Sequence, residues 1–159
     1  MLASPRILLA FSIALLLFSC KQSKEVSSAA VAETLEYLSF QKTGCKGTCP
    51  VYKVEVWKDG TARYEGEQYV DRVGLYDGRF SQENLMELMN SLSTAGFWEM
   101  DTLYDDPMIM DVPAATLLVK TSGKSHKVKA RFGEPETVRN LMSAVEAWSK
   151  KGRWAEVTD

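Results

Sequence analysis

The stretch VYKVEVWKDGTARYEGE, Val51 to Glu67, constrains the fold of this chain more than any other. Side chains of a strand alternate between two faces, so Tyr52, Val54 and Val56 share one side while Lys53, Glu55 and Trp57 share the other. Asp59-Gly60 then turns the chain. A two-residue loop would set Val56 against Arg63 and Val54 against Glu65, mixing apolar and charged faces. A three-residue loop, Lys58-Asp59-Gly60 with Gly60 left-handed in a bulge, shifts the register by one. Val56 then faces Ala62, Val54 faces Tyr64, Glu55 meets Arg63 and Lys53 meets Glu65. Each ion pair contributes only a few tenths of a kcal/mol, but both agree with the apolar pairing. The bulged hairpin is therefore predicted, and with it an antiparallel sheet that has one covered face.

The rest of the pattern extends that sheet. Leu35 to Thr43 alternates as a preceding strand, and a less regular fourth strand lies within DRVGLYDGRF, where Gly74 and Gly78 weaken the pattern. Ser81 suits a helix N-cap before Leu85, Leu88, Met89 and Leu92, with Gly96 at the left-handed C′ position and Phe97 packing back on Leu92. Residues 98–114, broken by Pro107 and Pro113, read as one long loop. ATLLVK and SHKVKARF form a second hairpin across Ser122-Gly123, with Ala115, Leu117 and Val119 opposite Ala130, Val128 and His126. A last helix opens at Pro135 and carries Val138, Leu141, Met142, Val145 and Trp148 on one stripe. Lys150 and Lys151 complement its C-terminus, and Gly152 stops it. The expectation is an α+β domain over residues 35–154: a mostly antiparallel sheet of five to six strands with two helices packed on one face, then a tail at 155–159.

The N-terminus carries a different signal. Arg6 precedes an uncharged apolar run, Ile7 to Phe18. A spanning helix needs about 20 apolar residues, so this run is too short, and it matches the positive and apolar regions of a secretory signal peptide. Leu17 to Cys20, LFSC, resembles the bacterial lipobox. That resemblance implies cleavage of residues 1–19 before Cys20, acylation of Cys20, and attachment to the bacterial cell envelope. Lys21 in place of an acid favours the outer membrane by the same analogy. Several acyl chains are needed for firm anchoring, because one chain holds only marginally. Residues 20–34 are small and polar and read as a flexible tether with an rms reach of about 20 Å.

Acylation of Cys20 would leave Cys45 and Cys49, four apart in TGCKGTCP, in an oxidising compartment. An even pair there reads as a disulfide, and Gly47 relaxes the turn it needs. The loop is small, so the bond contributes about 2 kcal/mol in the chain-entropy model. A redox pair is the rival reading, since Lys42 and Lys46 would lower a thiol pKa, although Pro50 and a strand follow where reactive pairs have a helix N-terminus. A metal site wants about four ligands, and only His126 remains to join two cysteines. No metal and no cofactor is expected.

CKGTCPVY, Cys45 to Tyr52, followed by Asp59-Gly60, Tyr64-Glu65-Gly66, Gly96-Phe97 and Asp111-Val112-Pro113, resembles an uncharacterised family of small bacterial exported domains with a C-x-G-x-C-P-x-Y signature. The resemblance covers about Leu38 to Trp154 and brings no activity with it.

Candidate sites are few. His126 is the sole histidine and lies on the inner side of its hairpin with no G-x-S-x-G motif, which reads as structural. Asp101, Asp105, Asp106 and Asp111 lack the spacing of a calcium loop. Trp57 lies on the charged face as a platform for a partner or sugar, or is capped by neighbouring chain. Lys120, Lys127, Lys129 and Arg131 surround Leu118 and either rest on anionic lipid or form a solvated strand edge. A net charge of −2 argues against a general nucleic-acid binder. The expectation is a lipid-anchored, extracytoplasmic binding or accessory module. Its partners would be the membrane, through the anchor, and an envelope protein or glycan. The alternatives are thiol-disulfide chemistry at Cys45 and Cys49, or a hydrolase with no visible motif.

Overall fold

In the computed structural model, which describes residues 34–158, every strand joins one eight-stranded sheet. The elements run β1 (Leu35–Lys42), β2 (Val51–Trp57), β3 (Thr61–Gln68), β4 (Gly74–Arg79), α1 (Gln82–Thr94), β5 (Leu103–Tyr104), β6 (Ala115–Thr121), β7 (Ser125–Ala130), α2 (Glu136–Ser149) and β8 (Arg153–Glu156). Across the sheet the order is β5-β7-β6-β1-β2-β3-β4-β8. Only the β5–β7 pairing is parallel. The signal peptide, Cys20 and the tether through residue 33 lie outside the described residues.

The first hairpin adopts the register its pattern dictates. Gly60 is left-handed (φ 83°), and Val56 pairs with Ala62, Val54 with Tyr64, Glu55 with Arg63 and Lys53 with Glu65. The charges, however, do not pair across that hairpin. Lys53 turns to Glu55 on its own strand (2.8 Å) and Arg63 reaches Asp77 on β4 (3.0 Å). β4 sets Asp77 directly opposite Arg63, offering it a second carboxylate that the isolated hairpin lacks.

β1 joins the two hairpins, because its apolar residues match on both sides. Leu38 lies between Val56 and Val119, and Phe40 between Val54 and Leu117. The second hairpin pairs Ala115 with Ala130, Leu117 with Val128 and Val119 with His126. These residues and the apolar stripes of α1 and α2 form one buried cluster. Among the described residues, neither α1 nor α2 packs on the side of the sheet carrying Tyr37, Glu55 and Leu118.

Local chemistry sets the helix ends. Ser81 and Asn84 form a reciprocal capping box at the start of α1. Phe80 stacks on Trp148 with centroids 4.2 Å apart, and Trp148 Nε1 donates to the Asn84 carbonyl (2.8 Å), tying α2 to the first turn of α1. Lys151 reaches across to Glu87 on α1 (2.5 Å).

The sheet has eight strands where five to six are expected, and the two additions have a common cause. β5 lies inside the stretch read as a loop. It is two residues long and is specified by pairing, with Lys129 N donating to the Thr102 carbonyl and Arg131 N to that of Tyr104. β8 follows Gly152 and carries the sheet past Trp154, pairing Tyr76 with Glu156 and Gly78 with Trp154. Neither is long enough to show a period of its own.

Candidate functional site

The residues singled out by sequence do not converge on one site. Trp57 and Lys120 flank Tyr37 in one row of the sheet face opposite the helices. Trp57 is 37% exposed, with the Tyr37 ring 6.0 Å from its own, and the Lys120 ammonium lies over Tyr37 at 5.6 Å. Tyr37 donates its hydroxyl to Glu55. Burial first, and then this bond, push the Tyr37 phenol up to about 12. Lys127 pairs with Leu118 and Lys129 with Thr116, toward the β5 edge. They extend this face away from Trp57 and do not converge on it.

Cys45 and Cys49 are joined in a disulfide, with Cα atoms 5.7 Å apart. Gly47 N donates to the Cys45 sulfur (3.3 Å). His126 shares a hydrogen bond between Nε2 and the Met100 carbonyl (2.9 Å) and packs edge-on against Phe97. The loop acids are dispersed among separate partners: Asp105 pairs with Arg131, Asp111 with Lys46 (2.7 Å), and Asp106 accepts from Met108 N (2.9 Å).

A site that the sequence did not announce lies directly after the disulfide. Pro50, Tyr52, Tyr64, Tyr69, Asp71, Arg72, Glu146, Lys150 and Trp154 line a cleft of about 240 Å³. It forms where α2 ends at Ser149 and stops covering the helix side of the sheet. The loop between β3 and β4 supplies the outer wall. A Cβ at Gly66 would collide with the Arg72 carbonyl, so glycine there lets the loop fold down onto β3. On the other side, a Cβ at Gly78 would enter the Trp154 ring, so glycine lets the indole lie flat on β4.

Aromatic rings form the body of the cleft. Tyr52 and Tyr64 stack at 5.6 Å, and Tyr64 meets Trp154 at 5.6 Å. Tyr69 is 59% exposed and adopts a left-handed backbone (φ 53°), a conformation that bulky residues rarely hold. Strain of this kind clusters at ligand-contacting sites.

Polar groups converge on those rings. Burial, and then the negative charge of Glu146, push the Tyr52 phenol far up, keeping it a hydrogen-bond donor. Burial also raises Tyr64, with the Arg72 charge pulling it down and Asp71 adding to the rise, so both charged groups act on this phenol. Glu146 is bridged by Lys42 at 2.9 Å. Ser149 Oγ donates to the Glu146 carbonyl (2.7 Å). The lining residues offer aromatic surfaces for stacking and hydroxyl, carboxylate and cationic groups for hydrogen bonding.

A wider groove of about 790 Å³ runs between α1 and α2 past Met86, Asn90, Thr94 and Asn140. It is larger, but it has no aromatic wall and none of the displaced phenols, so the smaller cleft is the better candidate. Sequence reading missed the cleft because Tyr52 and Tyr64 count as core by alternation. The available signal was their chemistry: two phenols on an inner face need polar partners for their hydroxyls.

Residues 36–149 match the model of a family described as a domain of unknown function (DUF6438). No curated protein matches the chain.

Proposed function

The chain belongs to the DUF6438 family, a domain of unknown function, and from that premise we propose that it is a binding module of the bacterial cell envelope. In this reading acyl chains on Cys20 hold it at the membrane, with the outer membrane favoured, and the cleft beside Tyr52 takes a glycan ring. The observation that carries the proposal is the convergence of four aromatic rings with carboxylates and cations in one concave site. A pyranose has an apolar C–H face that stacks on an aromatic ring and a rim of hydroxyls that needs donors and acceptors. The cleft provides both. Its volume of about 240 Å³ falls just below the ~300–1,000 Å³ of drug-sized sites, which suits a single ring.

Titration of the full chain with neutral and acidic monosaccharides, followed by NMR at the Trp154 indole N–H, tests this. The expected result is a saturable shift that Tyr69→Asn weakens. Asparagine tolerates the left-handed backbone, so that variant removes the ring without adding strain. Absence of a saturable response to every sugar would remove the glycan reading.

A thiol-disulfide function is the second reading. The observation favouring it is the Gly47 N–H donated to the Cys45 sulfur, which would stabilise a thiolate after reduction. A reduction potential well above about −300 mV would support it, and a lower value would mark the bond as structural.

A further inference from the structure

We infer that the cleft selects a sugar ring that bears a carboxylate, with Arg72 and Lys150 receiving the anion. The inference rests on the glycan reading above and deepens it. Its basis is the distribution of charge around the rings. Of the two lining carboxylates, Glu146 is already bridged by Lys42 at 2.9 Å. Arg72 and Lys150 also line the cleft, and neither makes an ion pair among the described residues. Asp71 is the remaining lining carboxylate, exposed and adjacent in sequence to Arg72. The lining thus holds two cations, Arg72 and Lys150, and two carboxylates, and with Glu146 taken up by Lys42 from outside the cleft only Asp71 is left to set against the two cations.

The backbone that carries each cation is placed by the fold. The Arg72 carbonyl packs against the bare Gly66 backbone, fixing the loop that carries the guanidinium. Lys150 is the C-cap residue of α2. A guanidinium presents paired donors that match the two oxygens of a carboxylate, and an ammonium adds a second positive charge without demanding geometry. Tyr69 and Trp154 supply the surfaces on which the ring itself would stack.

The test compares two sugars with the same ring, N-acetylmuramic acid and N-acetylglucosamine, which differ by one carboxylate-bearing lactyl ether. Binding to the full chain is measured by calorimetry and by the Trp154 indole signal at neutral pH. The acid should bind about tenfold or more tightly, the scale of one charged hydrogen bond. Raising the salt should narrow that preference. Arg72→Gln should remove part of that preference, Arg72→Lys should restore some of it, and Arg72→Gln combined with Lys150→Gln should bring the acid down to the affinity of the neutral sugar. Equal affinity for the two sugars overturns the inference and leaves the glycan site standing. Binding by neither overturns both. Equally tight binding of N-acetyl-D-alanine, a carboxylate without a ring, overturns the sugar class in favour of a peptide end.

Discussion

A Cβ at position 78 would enter the indole of Trp154, so Gly78→Ala must displace the ring that walls the cleft. Forcing one extra carbon into such a contact costs about 1–3 kcal/mol. Chemical denaturation should show that loss, and Trp154 should lose its contact with Tyr64. Glu55 offers a test by pH. Burial alone would raise its carboxyl, but the hydrogen bonds from Lys53 and Tyr37 outweigh burial and hold it below its ordinary value of 4.5. A depressed folded pKa means stability that is present above the unfolded value and lost as pH falls toward the folded one. Glu55→Gln should therefore flatten the acid limb of the stability curve below about pH 4.5. A limb of unchanged slope would show that the Tyr37–Glu55–Lys53 cluster contributes nothing to folding.

At the scale of elements, β8 is the piece whose removal says most. It pairs with β4 and places Trp154 against Tyr64 and Phe80. Ending the chain at Gly152 should cost about 3 kcal/mol or more, as truncating a packed tryptophan does. It should also promote association through the uncovered β4 edge. Denaturation midpoint and sedimentation measure both. β8 is equally the element that shows why parts of the fold were not legible. The β2–β3 register could be read because apolar pairing and turn geometry agreed within seventeen residues of sequence, Val51 to Glu67. The helices could be read because their stripes recur and Ser81 caps one of them. β5 and β8 are fixed by partners distant in the chain, and nothing local announces them. The cleft was illegible for the same reason. Tyr52, Tyr69, Glu146 and Trp154 come from four elements or loops, and only the end of α2 and the bare glycines bring them together.

For the molecule as a whole, the cysteines divide by chemistry. Cys45 and Cys49 close on each other just ahead of Pro50, so their bond fixes the approach to the cleft. The loop it closes is short, and the chain-entropy model gives about 2 kcal/mol for it. Cys45→Ser/Cys49→Ser should lower stability by about that amount, and its larger effect should be looser order at Pro50 and Tyr52, visible as faster amide exchange there. The proposed anchor makes the opposite demand of Cys20, which must be modified rather than paired. An alkyne fatty acid fed to cells should label the native protein and the double serine variant alike, while Cys20→Ser takes up none. Protein purified without reductant should resist iodoacetamide until reduced, and should then react at Cys45 and Cys49. A lipid signal that survives Cys20→Ser would put the attachment elsewhere. Free thiols before reduction would turn the second reading, thiol-disulfide exchange at the mouth of the cleft, into the leading one.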